Sequence, residues 1–396
     1  MRLESIHLRN FKSFRDATME DLPPLCVVVG ANGTGKTTLF KVFGFLKHCM
    51  RFNARKAVQH EGGFREILSR GAEADESIYI EIKFRLNIAG VDRLVTYSIE
   101  LGERRGKVVV LHEVLRYKRG RYGSPYHFLD FRLGQGYAIR NEEDFNKPDE
   151  DLDREEQTVQ PDTLAIAGLG QFERFRAANA FKTLIENWHI SDFHINEARG
   201  SKEIVGEDDH LSATGDNLQL VARNIAENQA EVFETIKHKL RERVPGVRDV
   251  NHKVTEDGRL ILQFHDGAFK DPFVDRYVSD GTIKMFAYLV LLYDPEPRPL
   301  LCVEEPENQL YPTLLYELAE EFRDYARRGG QVMVSTHSPD FLNALELDEV
   351  FWLTKEEGYT RIHRARDDEQ LAAFMDEGDQ MGFLWKSGLF AGVDPK

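Results

Sequence analysis

Gly30-Ala31-Asn32-Gly33-Thr34-Gly35-Lys36-Thr37 fits the pattern G-x-x-x-x-G-K-[ST], and no other stretch limits so narrowly what this chain can fold into. The pattern works only between a strand and a helix, and both are legible around it. Leu25 to Val29 (LCVVV) is a short β-branched apolar run, as expected of a strand buried on both faces. From Thr38 to Cys49, Leu39, Val42, Phe43 and Leu46 recur at helical spacing. Strand, glycine-rich loop and helix predict a nucleoside-triphosphate cradle. Asn32, Gly33, Thr34 and Gly35 would close backbone N–H groups on the phosphates, with Thr38 in the first turn of a helix whose dipole adds to them. Lys36 would reach the β- and γ-phosphates, and the Thr37 hydroxyl would ligate Mg²⁺.

A second chemical locus lies far downstream. Leu300-Leu301-Cys302-Val303 is an apolar strand that runs into Glu304 and Glu305. Two carboxylates at the end of a buried strand suit a triphosphate site: Glu304 to help hold Mg²⁺, Glu305 to orient the attacking water. Another apolar strand, Gln331–Ser335, ends in Thr336-His337-Ser338, with a helix expected over Thr313–Arg328 between the two.

The composition is that of an ordinary soluble globular protein, with 41% hydrophobic and 30% charged residues, and 396 residues exceed the usual single core. Two lobes, or a domain with a large insertion, are therefore expected. A net charge of −15 argues against a surface basic throughout, so any nucleic-acid contact would be a local patch or a partner's. The longest apolar run, Met285–Tyr293, is too short to span a bilayer, and the N-terminal stretch has no signal-peptide core. Cys26, Cys49 and Cys302 show no paired spacing and read as buried thiols of a reduced, cytoplasmic protein.

Between the two loci the chain is less specific. Ile78–Leu86, Leu94–Leu101 and Lys107–Tyr117, with Gly90 and Gly102 between them, suit an antiparallel meander. Arg116-Tyr117-Lys118-Arg119-Gly120-Arg121-Tyr122 reads either as a charged hairpin tip or as a nucleic-acid contact, with arginines on phosphates and tyrosines on bases. Asn141–Glu156 is strongly acidic and reads as a mobile loop. Phe172–Trp188 and Asn217–Arg243 read as helices around a Gly/Ser/Asp-rich segment at Gly200–Gly215. The second helix lacks sustained heptads, and neither an internal repeat nor a second phosphate loop is found.

The opening, two strands around Asn10-Phe11-Lys12-Ser13-Phe14 followed by a strand and the phosphate loop, resembles the SMC/RecF-like branch of the ABC-type ATPases. The resemblance implies ATP as the nucleotide and carries Asn10 and Lys12 over as nucleotide contacts. It makes His337 similar to the switch histidine that senses the γ-phosphate. Ser279-Asp280-Gly281-Thr282, ahead of an apolar helix over Ile283–Tyr293, resembles the ABC signature, where Ser279 and Gly281 would bind nucleotide held by another subunit. The usual form is nearer L-S-G-G-Q, so Asp280 and Thr282 depart from it in the manner of the stand-alone RecF/OLD-like ATPases of the AAA_21 type. Gln171 would be the glutamine contacting Mg²⁺ and water. Pro306–Pro312 resembles the D-loop, with Gln309 and Tyr311 replacing Gly and His, and Trp385–Phe390 resembles tails of bacterial ATPases of this group.

These readings imply an α/β ABC-type ATPase head, a P-loop NTPase with a mixed central sheet, an antiparallel β-meander and an inserted helical lobe. Boundaries are expected at 1–160, 161–250 and 251–396. The implied activity is ATP hydrolysis with Mg²⁺, catalysed by Glu305, His337 and Lys36. A homodimer or higher even-numbered oligomer is expected, acting as an ATP-gated clamp or sensor in bacterial DNA transactions, anti-phage defence among them. A nuclease or other effector would act in trans. The stretch after His337 is too short for an added nuclease domain, and its carboxylates (Asp367, Asp368, Glu369, Asp376, Glu377, Asp379) read as a solvated acidic tail beyond a closing hairpin. Two alternatives stay open: the ATPase subunit of a membrane transporter, and a weakly hydrolysing scaffold.

Overall fold

A computed structural model describes residues 2–392, apart from 74, 89, 121, 122, 143, 145, 146, 200, 201 and 204–207. It forms two compact units, one of Met1–Trp188, Leu347–Asp376 and Gly388–Lys396, the other of His189–Glu346 and Glu377–Ser387.

The first unit opens with the antiparallel pair β1 (Arg2–Phe11) and β2 (Phe14–Met19). Its turn is tight enough to force Asn10 and Lys12 to φ values of 57° and 50°. Next, β3 (Leu25–Gly30) is buried along its whole length, as its unbroken apolar run dictates. It feeds α1 (Lys36–Arg51), which buries Leu39, Phe40, Val42, Phe43 and Leu46. Short helices α2 (Ala54–His60) and α3 (Phe64–Ile67) lead to the meander. This runs through β4 (Ile78–Ile88), β5 (Val91–Arg104), β6 (Lys107–Tyr117), β7 (Tyr126–Arg132), β8 (Gln135–Ile139) and β9 (Arg154–Thr158). With β1 on the far side of β4, the sheet order is β2-β1-β4-β5-β6-β7-β8-β9. Helices α4 (Ala165–Leu169) and α5 (Arg176–Glu186) follow. The alternating Ile80, Ile82 and Phe84 turn one face of β4 inward, where Phe181 of α5 packs against Phe84 and Tyr97 at centroid distances of 5.0 and 4.3 Å.

The second unit begins with β10 (His189–Ser191), α6 (Ile195–Ala198) and β11 (Lys202–Glu203), then α7 (Leu218–Asn228) and α8 (Ala230–Arg243). A small antiparallel sheet gathers β11, β12 (Val247–Val254), β13 (Arg259–Asp266) and β14 (Phe273–Val274). Then comes α9 (Asp280–Leu292), buried from Thr282 to Leu292 and apolar from Met285 onward. Around it run β15 (Leu301–Glu304), α10 (Thr313–Arg327), β16 (Val332–Thr336) and α11 (Pro339–Leu342). β10, β15 and β16 are parallel neighbours.

The chain returns to the first unit as β17 (Val350–Glu356), parallel to β3, and β18 (Tyr359–Arg364), antiparallel to β17. α12 (Glu369–Asp376) belongs to the first unit and α13 (Met381–Lys386) to the second.

Several expectations are corrected. Asn217–Arg243 is two helices, broken where Gln229 leaves helical geometry at φ −142°, ψ 58°. The signature helix starts at Asp280 rather than Ile283, because Ser279 caps it. Gly102 lies inside β5 beside a register shift, where a Cβ would stand 2.7 Å from Leu111 Cδ1. The acidic stretch is not simply a solvated loop: Arg154–Glu156 begin β9, and Glu142, only 4% exposed, accepts from Ala177 N at the start of α5. Counting charge missed the donors that make burial of that carboxylate affordable.

The hairpin-tip cluster also turns inward. Tyr117 stacks on Phe128 at 3.8 Å, Arg116 bonds Glu81, and Arg119 binds Asp149 and the carbonyls of Asp144 and Lys147. Arg121 and Tyr122, parts of Asn141–Glu156, and parts of Gly200–Gly215 lie outside the described residues. The tail folds back as α12 and α13, burying Leu371, Met381, Leu384 and Phe390, though Asp367, Glu369, Asp376 and Glu377 are exposed. All three cysteines are buried, and burial pushes the Cys26 thiol up to about 12.

Candidate active site

The phosphate loop of the first unit owes its shape to contacts that exclude side chains. Gly33 and Gly35 take φ values of 80° and 109°, the left-handed region that glycine enters without penalty. A Cβ at Gly35 would meet Thr360 Oγ1 at 2.6 Å and Ser13 Oγ at 2.8 Å; one at Gly30 would meet Thr34 Oγ1 at 2.5 Å. Thr34 is buried and donates to Ala31 O at 2.9 Å, while Asn32, Gly33 and Thr37 are exposed and Thr38 half-buried. Lys36 curls over the loop, its Nζ 2.6 Å from Gly30 O and 3.3 Å from Ala31 O. Among the described residues no side chain caps α1, and no acidic residue stands in its first turn. Such an N-terminus keeps its positive dipole end for an anion, so the loop fits a triphosphate tail.

Three other predicted contacts occupy the same unit. Asn10 donates to Glu76 Oε2 at 2.9 Å and Ser77 O at 3.0 Å, and its own Oδ1 is buried without a partner among the described residues. Lys12 pairs with Glu61 at 2.5 Å. Burial pushes the Glu61 carboxyl up, but Lys12, Lys41 and His60 together outweigh it and hold the group below its usual range. Gln171 is exposed just past the end of α4, its Nε2 3.4 Å from Ala167 O.

The second unit gathers the carboxylates and the histidine. Glu304 ends β15 opposite Ser335 of β16. Glu305 takes φ 44° while its N–H donates to Ser335 O at 2.9 Å. A non-glycine residue held there is strained, and such strain concentrates at functional positions. Asn308 Nδ2 donates to Glu305 Oε2 at 3.0 Å. His337 Nδ1 stands 3.4 Å from Glu305 Oε1 and 3.6 Å from Glu307 Oε1. Glu307 accepts from Thr336 Oγ1 at 2.7 Å and His337 N at 3.0 Å, so it fixes the end of the strand that carries the histidine. Lys284 reaches Asn308 O at 2.8 Å; burial lowers its ammonium to about 8 against the pull of Glu307 and Glu305. Among the described residues no cluster of three or more His, Cys, Asp or Glu is set to hold a metal. The Thr37 hydroxyl of the first unit and the Glu304 carboxylate of the second are each a hard oxygen donor, the kind that Mg²⁺ takes alongside phosphates and water.

The signature segment is anchored in the same unit. Ser279 Oγ accepts from Thr282 N at 3.3 Å and lies 2.7 Å from Thr282 Oγ1. A Cβ on Gly281 would stand 2.9 Å from Gln309 O, so the helix start rests on the D-loop backbone. Arg199 donates to Arg276 O at 3.1 Å, to Val278 O at 2.8 Å and to the Asp280 carboxylate. Asp280, the departure from the usual signature, is thus one half of an ion pair. Sequence reasoning missed Arg199 and Thr360, which carry no motif, gave Ser13 no role of its own within the Asn10–Phe14 segment, and read Glu307 only as part of a loop.

Comparison with known proteins bears on the family and the fold. The DNA replication and repair protein RecF of Heliobacterium modesticaldum is 29% identical over 142 residues, covering 34% of this chain and 38% of that protein. An SMC head bound to the C-winged helix domain of ScpA superposes with a TM-score of 0.54 at 13% identity, over 92% of this chain and 97% of that one. An SMC head domain with an extended coiled coil, bound to the C-terminal domain of ScpA derived from Pyrococcus furiosus, gives 0.54 at 12% identity, over 95% and 99%. These likenesses establish a mixed α/β P-loop NTPase fold of the SMC-head kind. Residues 25–343 match AAA_21, described as "AAA domain, putative AbiEii toxin, Type IV TA system", and the chain belongs to that family, as an SMC/RecF-like ATPase.

Proposed function

We propose that this chain binds ATP with Mg²⁺ and hydrolyses it to ADP and phosphate, working as a nucleotide-gated dimer that controls an effector supplied in trans. The observation that carries the reading is Glu305, strained at φ 44° and set 3.4 Å from His337 at the ends of parallel strands. Glu305 orients the attacking water and accepts its proton, and His337 contacts the transferring phosphoryl group. Lys36 and the loop N–H groups hold the phosphates; Thr37 and Glu304 would hold Mg²⁺, and Gln171 would contact the ion and water. Mg²⁺, when bound, supplies neutralisation of the phosphate oxygens. Asn10 and Lys12 contact the rest of the nucleotide.

Ser279 and Gly281 act on nucleotide held by a second copy, so two chains in a two-fold arrangement enclose two ATP molecules. The RecF relative supports a role in DNA transactions and the family's description, which names a toxin–antitoxin system, supports an anti-phage setting. A recess of about 580 Å³ on the meander, lined by Lys83, Arg93 and Lys118 together with Asp92 and with Arg116 tied to Glu81, is where a nucleic-acid contact would lie. No helix among the described residues is long and apolar enough to cross a membrane. A slow scaffold is the second reading, favoured by Asp280 standing, tied to Arg199, where the usual signature has glycine. Light scattering tests the assembly: Glu305→Gln with ATP should be at least dimeric, and Ser279→Arg should keep ATP binding yet lose turnover. Full activity from a monomer contradicts it.

A further inference from the structure

Ser13 lies before the stretch that matches the family and Thr360 lies after it, yet both reach the phosphate loop. Thr360 N donates to Ser13 O at 2.8 Å, which brings β18 against the β1–β2 turn. Thr360 Oγ1 then lies 2.6 Å from Thr34 O and 2.8 Å from Ser13 Oγ. A hydroxyl has a single proton and a carbonyl oxygen only accepts. Thr360 therefore donates to Thr34 O, and Ser13 donates to Thr360. Thr360 is 1% exposed, so the Thr34 carbonyl has this hydroxyl in place of solvent.

The consequence follows from peptide geometry. In a trans peptide the C=O and N–H point to opposite sides. Holding Thr34 O against Thr360 turns the Gly35 N–H to the other side of the loop. The same two hydroxyls stand where a Gly35 Cβ would be, at 2.6 and 2.8 Å, so they also keep the φ of 109°. We infer that Thr360, with Ser13 behind it, is a positioning residue of the phosphate loop, and that this relay sets the Thr34–Gly35 peptide so that the Gly35 N–H faces the bound triphosphate. The inference rests on the ATP-binding reading above.

Thr360→Val keeps the shape and removes the donor, leaving a buried carbonyl unpaired. Titration calorimetry with Mg²⁺-ATP should show Kd weakened roughly tenfold, with KM rising alike and kcat within about twofold. Thr360→Ser restores the hydroxyl and should bind within about twofold of wild type, whereas Ser13→Ala, which spares the bond to Thr34, should cost roughly threefold. A packing role would instead lower the unfolding midpoint of the nucleotide-free protein and leave Kd unchanged. Wild-type Kd in Thr360→Val overturns the inference, as does a loss in Thr360→Ser equal to that in Thr360→Val. If Thr360→Val does not fold, Ser13→Ala decides: weakened binding supports the relay and unchanged binding overturns it. Failure of the wild-type chain to bind Mg²⁺-ATP is a different result, and overturns the ATP reading together with the relay.

Discussion

His337 Nδ1 stands 3.4 Å from Glu305 Oε1, at the ends of neighbouring parallel strands. Neither residue is placed by its own side chain alone. Glu305 is pinned through its backbone to Ser335, and His337 through its N–H to Glu307. His337→Ala should therefore lower kcat on the order of 100-fold, the scale of losing one donor aimed at developing charge. Because it leaves the phosphate loop untouched, Kd for ATP should change less than about threefold. Steady-state turnover and calorimetry check both halves.

Lys36 should be needed for binding itself. Its Nζ lies against two loop carbonyls, 2.6 Å from Gly30 O and 3.3 Å from Ala31 O, a point charge in a narrow bend. Lys36→Ala should weaken Mg²⁺-ATP by at least roughly tenfold, the scale of a lost charge-assisted hydrogen bond. Lys36→Arg should not restore it, since a planar fork does not replace a compact ammonium. Calorimetry on both variants is the check.

Arg199 and Asp280 should be unequal partners. Arg199 also holds the carbonyls of Arg276 and Val278, whereas Asp280 has a side chain 51% exposed. Arg199→Ala should destabilise the protein by about 1–3 kcal/mol through unpaired carbonyls, and Asp280→Asn by less than about 1 kcal/mol. Denaturant unfolding measures the order; an Asp280→Asn loss as large as that of Arg199→Ala would contradict this account.

Glu113 should make stability depend on pH. Burial lifts its carboxyl to about 7 from 4.5, although Tyr97 OH and the N–H groups of Ala165 and Ile166 favour the charged form. A carboxyl raised on folding binds its proton more tightly folded than unfolded. Its contribution is full below the unfolded value and is lost as pH rises through about 7. Glu113→Gln removes that dependence, so between about pH 5 and pH 8 the stability difference should drift in the variant's favour. A constant difference across that range contradicts the assignment.

The phosphate loop and the carboxylate strand were legible because each is local: apolar runs of the right length end in the residues that matter. The meander was legible for the same reason, from the alternation in β4 to β6. What escaped was long-range. Nothing near Asp280 announces Arg199, and nothing near Gly35 announces Thr360. The break at Gln229 escaped because no glycine or proline marks it and apolar spacing continues on both sides. Glu142 escaped because its charge is visible in sequence while the helix N-terminus that receives it is not.

The most direct measurement is ATP turnover by the purified chain beside Glu305→Gln. Glu305→Gln keeps every phosphate contact and removes the group that places water, so it should bind Mg²⁺-ATP with near wild-type affinity and turn over at least ~100-fold slower. Turnover equal to wild type would contradict the assignment of Glu305, and with it the account of hydrolysis.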